Sequence, residues 1–268
     1  LKNPGKAIIV AGLSLLAAMP MTARAADEEI QVYIDDMGAP GSFGLDVHNN
    51  YVFSGRSTRM DDPLAQDSLH RFRVTPEFSY GISDNLEAGL YLPLGSVDRD
   101  GHVSVDGVKA RLKYIAHPSG NPDVWYGVNF ELGRVGRVYD VNPWNAELKG
   151  MIGTRRGRWL LAGNVNVDFV VSGPQPSPAT VEIATKIAYS LTSKVSLGVE
   201  GYNGIGTFRQ PFQMGQSDQT VMGALDVQLG EWDLNLGVGE GFGTNPDHLI
   251  VKAIVGVPID RLFHHAHR

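Results

Sequence analysis

From about residue 43 to residue 259, apolar side chains fall on every other position. Phe72, Val74, Phe78 and Tyr80 alternate with Arg71, Arg73, Thr75, Glu77 and Ser79. Successive side chains of a strand point to opposite faces, so such a segment has one apolar and one charged face. Twelve segments carry the pattern, at 43–53, 69–80, 86–94, 106–115, 124–132, 143–153, 158–171, 180–190, 194–203, 219–229, 231–242 and 248–259. In a soluble sandwich the apolar face packs on a second sheet. In an outer-membrane barrel it faces lipid, and the charged face lines the inside.

Three features favour the barrel. The links after even-numbered segments are mostly short: Gly81–Asn85, Thr154–Gly157, Leu191–Ser193 and Gly230. Those after odd-numbered segments are mostly longer and polar, such as Ser54–Ser68, Gly95–Val105 and Gly204–Asp218, as expected of short periplasmic turns and long external loops. Ala116–Asp123 is an even link of medium length. Rings sit at segment ends on the apolar face, where interfacial girdles place them. Phe43, Tyr80, Tyr114, Tyr126, Trp159, Tyr189 and Trp232 fall at one end, and Tyr51, Phe53, Phe72, Phe130, Trp144, Phe169 and Phe242 at the other. Nearly every segment also carries an ionisable residue opposite its apolar stripe, because a charge on the lipid side costs roughly 2–4 kcal/mol at the midplane. The pattern predicts an all-β fold: a closed antiparallel transmembrane β-barrel of about twelve strands, spanning 43–259 as a single domain.

Residues 1–25 read as an export signal. Lys2 and Lys6 precede the apolar run Ala7–Ala18, and Ala23-Arg24-Ala25 makes a small-x-small cleavage site before Ala26. The run is too short to span a membrane as a helix, which needs roughly 20 residues. The expected location is the cell outer membrane, with lipid, a small-molecule solute and the barrel-assembly machinery as partners. Residues 26–42 form a short strand-like stretch closed by Gly38, Pro40 and Gly41, either a periplasmic lead-in or a plug. Residues 260–268 are a tail.

Cysteine is absent, which removes disulfides, thiolate catalysis and Cys-based metal sites. The formal charge is −6, and the leader takes away basic residues only. A net-negative chain without a clustered basic patch is a poor ligand for nucleic acid. No cofactor motif is legible. The row Gly237, Gly239, Gly241 and Gly243 lacks the strand-then-helix context of a dinucleotide fingerprint, and reads as a place where the wall bends or is closely approached.

Several stretches resemble an outer-membrane family labelled for the MetA pathway of phenol degradation. They are Glu29–Tyr33 followed by Ala39–Phe43, His48–Tyr51, Thr75–Glu87 continuing to Gly89–Pro93, and Gly107–Tyr114. The resemblance implies a transporter- or channel-like barrel. It brings no catalytic motif with it.

The inward charges are the candidate solute pathway. Basic members are Arg71, Arg73, Lys109, Arg111, Lys113, Lys149, Lys186 and Lys252, and acidic members are Glu77, Glu87, Glu131, Glu147, Asp168, Glu182, Glu200, Asp226 and Asp233. In a wide lumen they set the field on a passing solute; in a narrow one they pair across strands and stiffen the wall. Pairing is favoured, because opposite-sign neighbours are available. Arg71, Arg73, Lys109, Arg111 and Lys113 are the best candidates for a basic constriction. His48 reads as a satisfied lumen residue. His264, His265 and His267 read as a frayed tail before a metal site. The expected function is passive passage of small solutes, aromatic or hydrophobic ones among them. The alternatives are an outer-membrane lipid hydrolase, which needs a Ser–His pair near one strand end, and a plugged structural or binding barrel.

Overall fold

The computed structural model describes residues 29–57, 67–92, 94–137 and 139–260. The export signal, its cleavage site and the histidine tail lie outside the described residues. In chain order the strands are β1 (Phe43–Ser54), β2 (Phe72–Ser83), β3 (Leu86–Tyr91), β4 (Gly95–Val97), β5 (Val103–Val105), β6 (Val108–Ala116), β7 (Val124–Arg134), β8 (Trp144–Arg156), β9 (Trp159–Ser172), β10 (Thr180–Ser190), β11 (Val195–Thr207), β12 (Gln210–Pro211), β13 (Asp218–Leu229), β14 (Trp232–Gly243) and β15 (Leu249–Val257).

Twelve of them close a ring, each antiparallel to its neighbours. β1 pairs with β2, and the path runs through β3, β6, β7, β8, β9, β10, β11, β13, β14 and β15 back to β1. The seam pairs Leu45 with Val257 and Tyr51 with Val251. Closure leaves no open edge among these staves, a condition that hydrocarbon imposes on any sheet crossing it. No described helix is long and apolar enough to cross a membrane.

Alternation carries through to burial. In β6, Val108, Ala110, Leu112 and Tyr114 are exposed, while Arg111 and Lys113 are buried. The outer wall is an apolar belt. Tyr80, Tyr114, Tyr126, Trp159 and Trp232 stand on it at the end where the short turns cluster, and Phe53, Phe130, Trp144 and Phe242 at the other. Short turns mark the periplasmic end of such barrels.

Two departures from the sequence reading have physical causes. β3 stops at Tyr91, short of the expected 94, as the chain approaches Pro93, which has no N–H for the ladder. The expected loop 95–105 is instead a small hairpin, β4 with β5, whose β4 pairs antiparallel with the outer end of β2. Its tip turns at Gly101, where φ is +85°, a conformation glycine adopts without strain.

Candidate functional site

Sixteen of the seventeen charges expected to be the solute pathway lie off the lipid-facing row. Most are buried; Lys109, Glu147, Asp168, Glu182 and Asp226 are half-buried. Asp233, by contrast, is exposed at the start of β14, near the short-turn end. Many of the interior charges form two networks.

The first spans β1, β2, β3, β6 and β7. His48 Nε2 lies 3.0 Å from Glu77 Oε2. Arg111 meets Glu77 and also Glu87, the latter at 2.9 Å. Lys113 lies 3.1 Å from Glu87, and Lys109 3.1 Å from Glu131. Next to it, Lys149 pairs with Glu147 at 3.0 Å.

The second lies across the barrel. Glu200 accepts from Lys186 at 3.1 Å, from Lys252 at 2.5 Å and from the Tyr202 hydroxyl at 2.8 Å. Lys186 also reaches Asp226 at 2.8 Å, which accepts from Asn235 at 2.7 Å. Lys252 starts on β15 and Glu200 sits on β11, so the lysine has to cross the inner faces of β14 and β13. Gly237 makes this passage possible. A Cβ there would lie 2.8–2.9 Å from carbons of the Lys252 stem. One member of the glycine row thus marks a close approach, as its sequence suggested.

The five basic positions of β2 and β6 are spread along the barrel. Arg71, just before β2, is tied to the Asp67 carboxylate at 2.8 Å and to Ser96 at 3.4 Å at the outer mouth. Lys113 pairs in register with Glu87, next to the short β2–β3 turn. Charge pairing across strands dominates this lumen.

The feature that sequence left open is the segment 29–42, which runs inside the barrel. Val32 is 4% and Tyr33 2% exposed, within a cluster of Trp125, Ile115, Met151, Leu160, Ala184 and Ile250 from the wall. Ile30, Ile34 and Met37 pack against the same cluster. Side chains of the wall pin the segment's backbone. Asn164 accepts from the Tyr33 N–H at 2.7 Å and donates to its carbonyl at 3.0 Å. Lys252 donates to the Ile30 carbonyl and Lys113 to that of Asp36, both at 2.9 Å. Glu87 accepts from the Gly38 N–H at 2.6 Å, and Asp35 pairs with Arg155 at 2.6 Å.

The Tyr33 phenol is the best-held group in the lumen. Its hydroxyl is 2.7 Å from that of Tyr91 and donates to Glu131 at 3.3 Å. Lys149 Nζ stands 4.0 Å from its ring centroid, with Lys113 at 5.6 Å, distances at which a cation is drawn to an aromatic face.

A signal for this occupancy was present in the sequence. Tyr91 and Trp125 fall on the inward row with Glu87 and Glu131, and an apolar side chain on a wet inner wall needs something dry to meet.

No family model matches this chain, and no curated protein does. Solved structures share its fold. A porin described as KdgM superposes with a TM-score of 0.51 at 13% identity, over 80% of this chain and 98% of that one. The COG4313 outer membrane channel from Pseudomonas putida F1 superposes with a TM-score of 0.54 at 12% identity, over 85% of this chain and 99% of that one. At such identity the likeness is one of fold. The class is thereby defined as an outer-membrane-type β-barrel. Within it, this chain is a twelve-stranded barrel with the stretch 29–42, just ahead of β1, in the lumen.

Proposed function

We propose that this protein is an outer-membrane diffusion channel for small solutes, closed in the present state by residues 29–42. The observation that carries the reading is the way the segment is held. Its apolar side chains rest on a cluster contributed by many staves, and its polar contacts ahead of Gly41 go to side chains such as Asn164, Lys252 and Lys113. Among the described residues, its backbone meets the wall's backbone only where it runs into β1, at Gly41 and Ser42 against Gly81, so the stretch ahead of Gly41 can leave without breaking the barrel. Once it leaves, a lumen lined by paired charges and several rings remains.

The Tyr33 seat supports small aromatic solutes, phenols among them, as cargo. It offers a hydroxyl partner in Tyr91, an acceptor in Glu131 and an ammonium over the ring face in Lys149. This agrees with the resemblance to the family labelled for phenol degradation. Insertion by the outer-membrane barrel-assembly machinery is part of the same proposal.

The hydrolase alternative requires a Ser–His pair. The ring nitrogens of the described histidines that hydrogen-bond meet carboxylates or backbone carbonyls instead: His48 meets Glu77, His102 meets Asp98, His117 meets Pro122 and Val124, and His248 meets Gly241.

The test is conductance in planar bilayers. A variant lacking residues 29–42 is expected to conduct at least ~10-fold more than the full chain, and to swell liposomes faster in phenol than in a charged solute of equal size. A folded deletion variant that stays silent overturns the reading.

A further inference from the structure

Glu29, at the start of the described lumen segment, meets His48 of β1 and Glu77 of β2. One ligand atom from each lies within 4.8 Å of the other two. Two carboxylates and an imidazole make a donor set suited to a divalent first-row ion such as Zn2+, which takes carboxylate oxygen and imidazole nitrogen together.

A second observation points the same way. The Glu29 side chain is only 8% exposed. Its Oε1 is buried without a hydrogen-bond partner in the protein, as is Nδ1 of His48. The nearest cation to Glu29 is Lys109, at 3.9 Å, and that ammonium makes its closer contact with Glu131 at 3.1 Å. Arg111 neutralises one oxygen of Glu77 and also serves Glu87. Of the two carboxylates, Glu29 therefore has the weaker charge partner. A buried carboxylate oxygen without a donor is costly to keep, and an ion removes that cost.

We infer that Glu29, His48 and Glu77 form a divalent transition-metal site that fastens the N-terminal segment to the barrel wall. Two ligands come from the wall and one from the segment, so the complete site exists only when the segment is seated. An ion bound there stabilises the seated state by linkage, in proportion to its differential affinity for seated and released forms. The gating consequence rests on the channel reading given above; the binding site itself does not.

The experiment uses the full barrel in detergent, with His264, His265 and His267 replaced by alanine so that the tail contributes no ligand. Calorimetric titration with Zn2+, checked by metal content after dialysis, is expected to show one ion per barrel. Glu29→Gln and His48→Ala are each expected to weaken binding at least ~10-fold while heat-modifiable gel mobility stays intact. No binding, or binding that survives both substitutions, overturns the site. Glu29→Gln guards against a fold defect in His48→Ala, because it lies in the segment and not in the wall.

Conductance separates this inference from the channel reading. Micromolar Zn2+ is expected to lower the open fraction of the parent barrel and to leave Glu29→Gln unaffected. If the deletion of residues 29–42 opens a pore and calorimetry shows no ion, the metal site alone falls. If calorimetry finds the ion and no variant conducts, the site stands and the channel reading falls.

Discussion

Leu148 and Lys149 are neighbours in β8, yet Leu148 is 44% exposed to the lipid side and Lys149 is 4% exposed within. A one-residue shift of register would exchange them, and would put an ammonium into hydrocarbon at a cost of roughly 2–4 kcal/mol near the midplane. This penalty is why the facing of each charged residue was legible from alternation alone. What each charge pairs with was not legible, because partners come from strands up to several staves apart. Glu200 shows this well. Its partner Lys186 faces it in register on β10, but Lys252, 52 positions after it, comes from β15 across two intervening staves, which no local pattern predicts. Replacing Glu200 with alanine leaves two buried ammonium groups short of their main acceptor. The expected loss is on the order of 3–5 kcal/mol, the usual cost of breaking a buried pair from one side. Thermal unfolding of the detergent-folded barrel measures it, and an unchanged midpoint would show that the network contributes nothing to stability.

At the scale of elements, the twelve staves were legible because each repeats the same two-residue period for about ten residues. The β4–β5 hairpin was not, since three-residue strands carry too few alternations to stand out from a polar loop. Its tip depends on Asp98, whose Oδ1 accepts from the backbone N–H of both Asp100 and His102 at 2.9 Å. The His102 N–H bond, followed by the Asp100 one, holds the Asp98 carboxyl below its usual pKa. A depressed folded-state pKa stabilises the turn above the unfolded value and loses that effect as pH falls through the folded one. Amide exchange at Asp100 and His102 is therefore expected to speed up on acidification, beyond the intrinsic pH dependence, while Leu112 in β6 stays protected. Equal behaviour at the tip and in β6 would remove Asp98 from this role. The placement of residues 29–42 was half legible. Its alternating Ile30, Val32 and Ile34 suggested a strand, but the surface that receives it is assembled from positions between Val52 and Ile250. No local window contains that surface.

The whole molecule presents water-avoiding side chains outward and ionised ones inward, the reverse of a soluble protein. Its exposed large apolar residues form a belt and not scattered spots: Leu90, Leu132, Ile152, Leu161, Val199 and Val238 all face out from different staves. A folded monomer of this kind stays dispersed only with lipid or detergent around the belt. Unheated samples are expected to run faster than boiled ones on detergent gels and to collect with the outer membrane on fractionation. A soluble, detergent-free monomer would contradict the architecture. The β1–β15 seam carries a last consequence. The two strands that shut the ring are the first and last staves of the chain, and the stretch just ahead of the first ends up inside. Assembly therefore has to gather the stretch ahead of the first stave before the final stave docks, or thread it in afterwards, so the timing of closure decides whether a newborn barrel starts life stoppered or open.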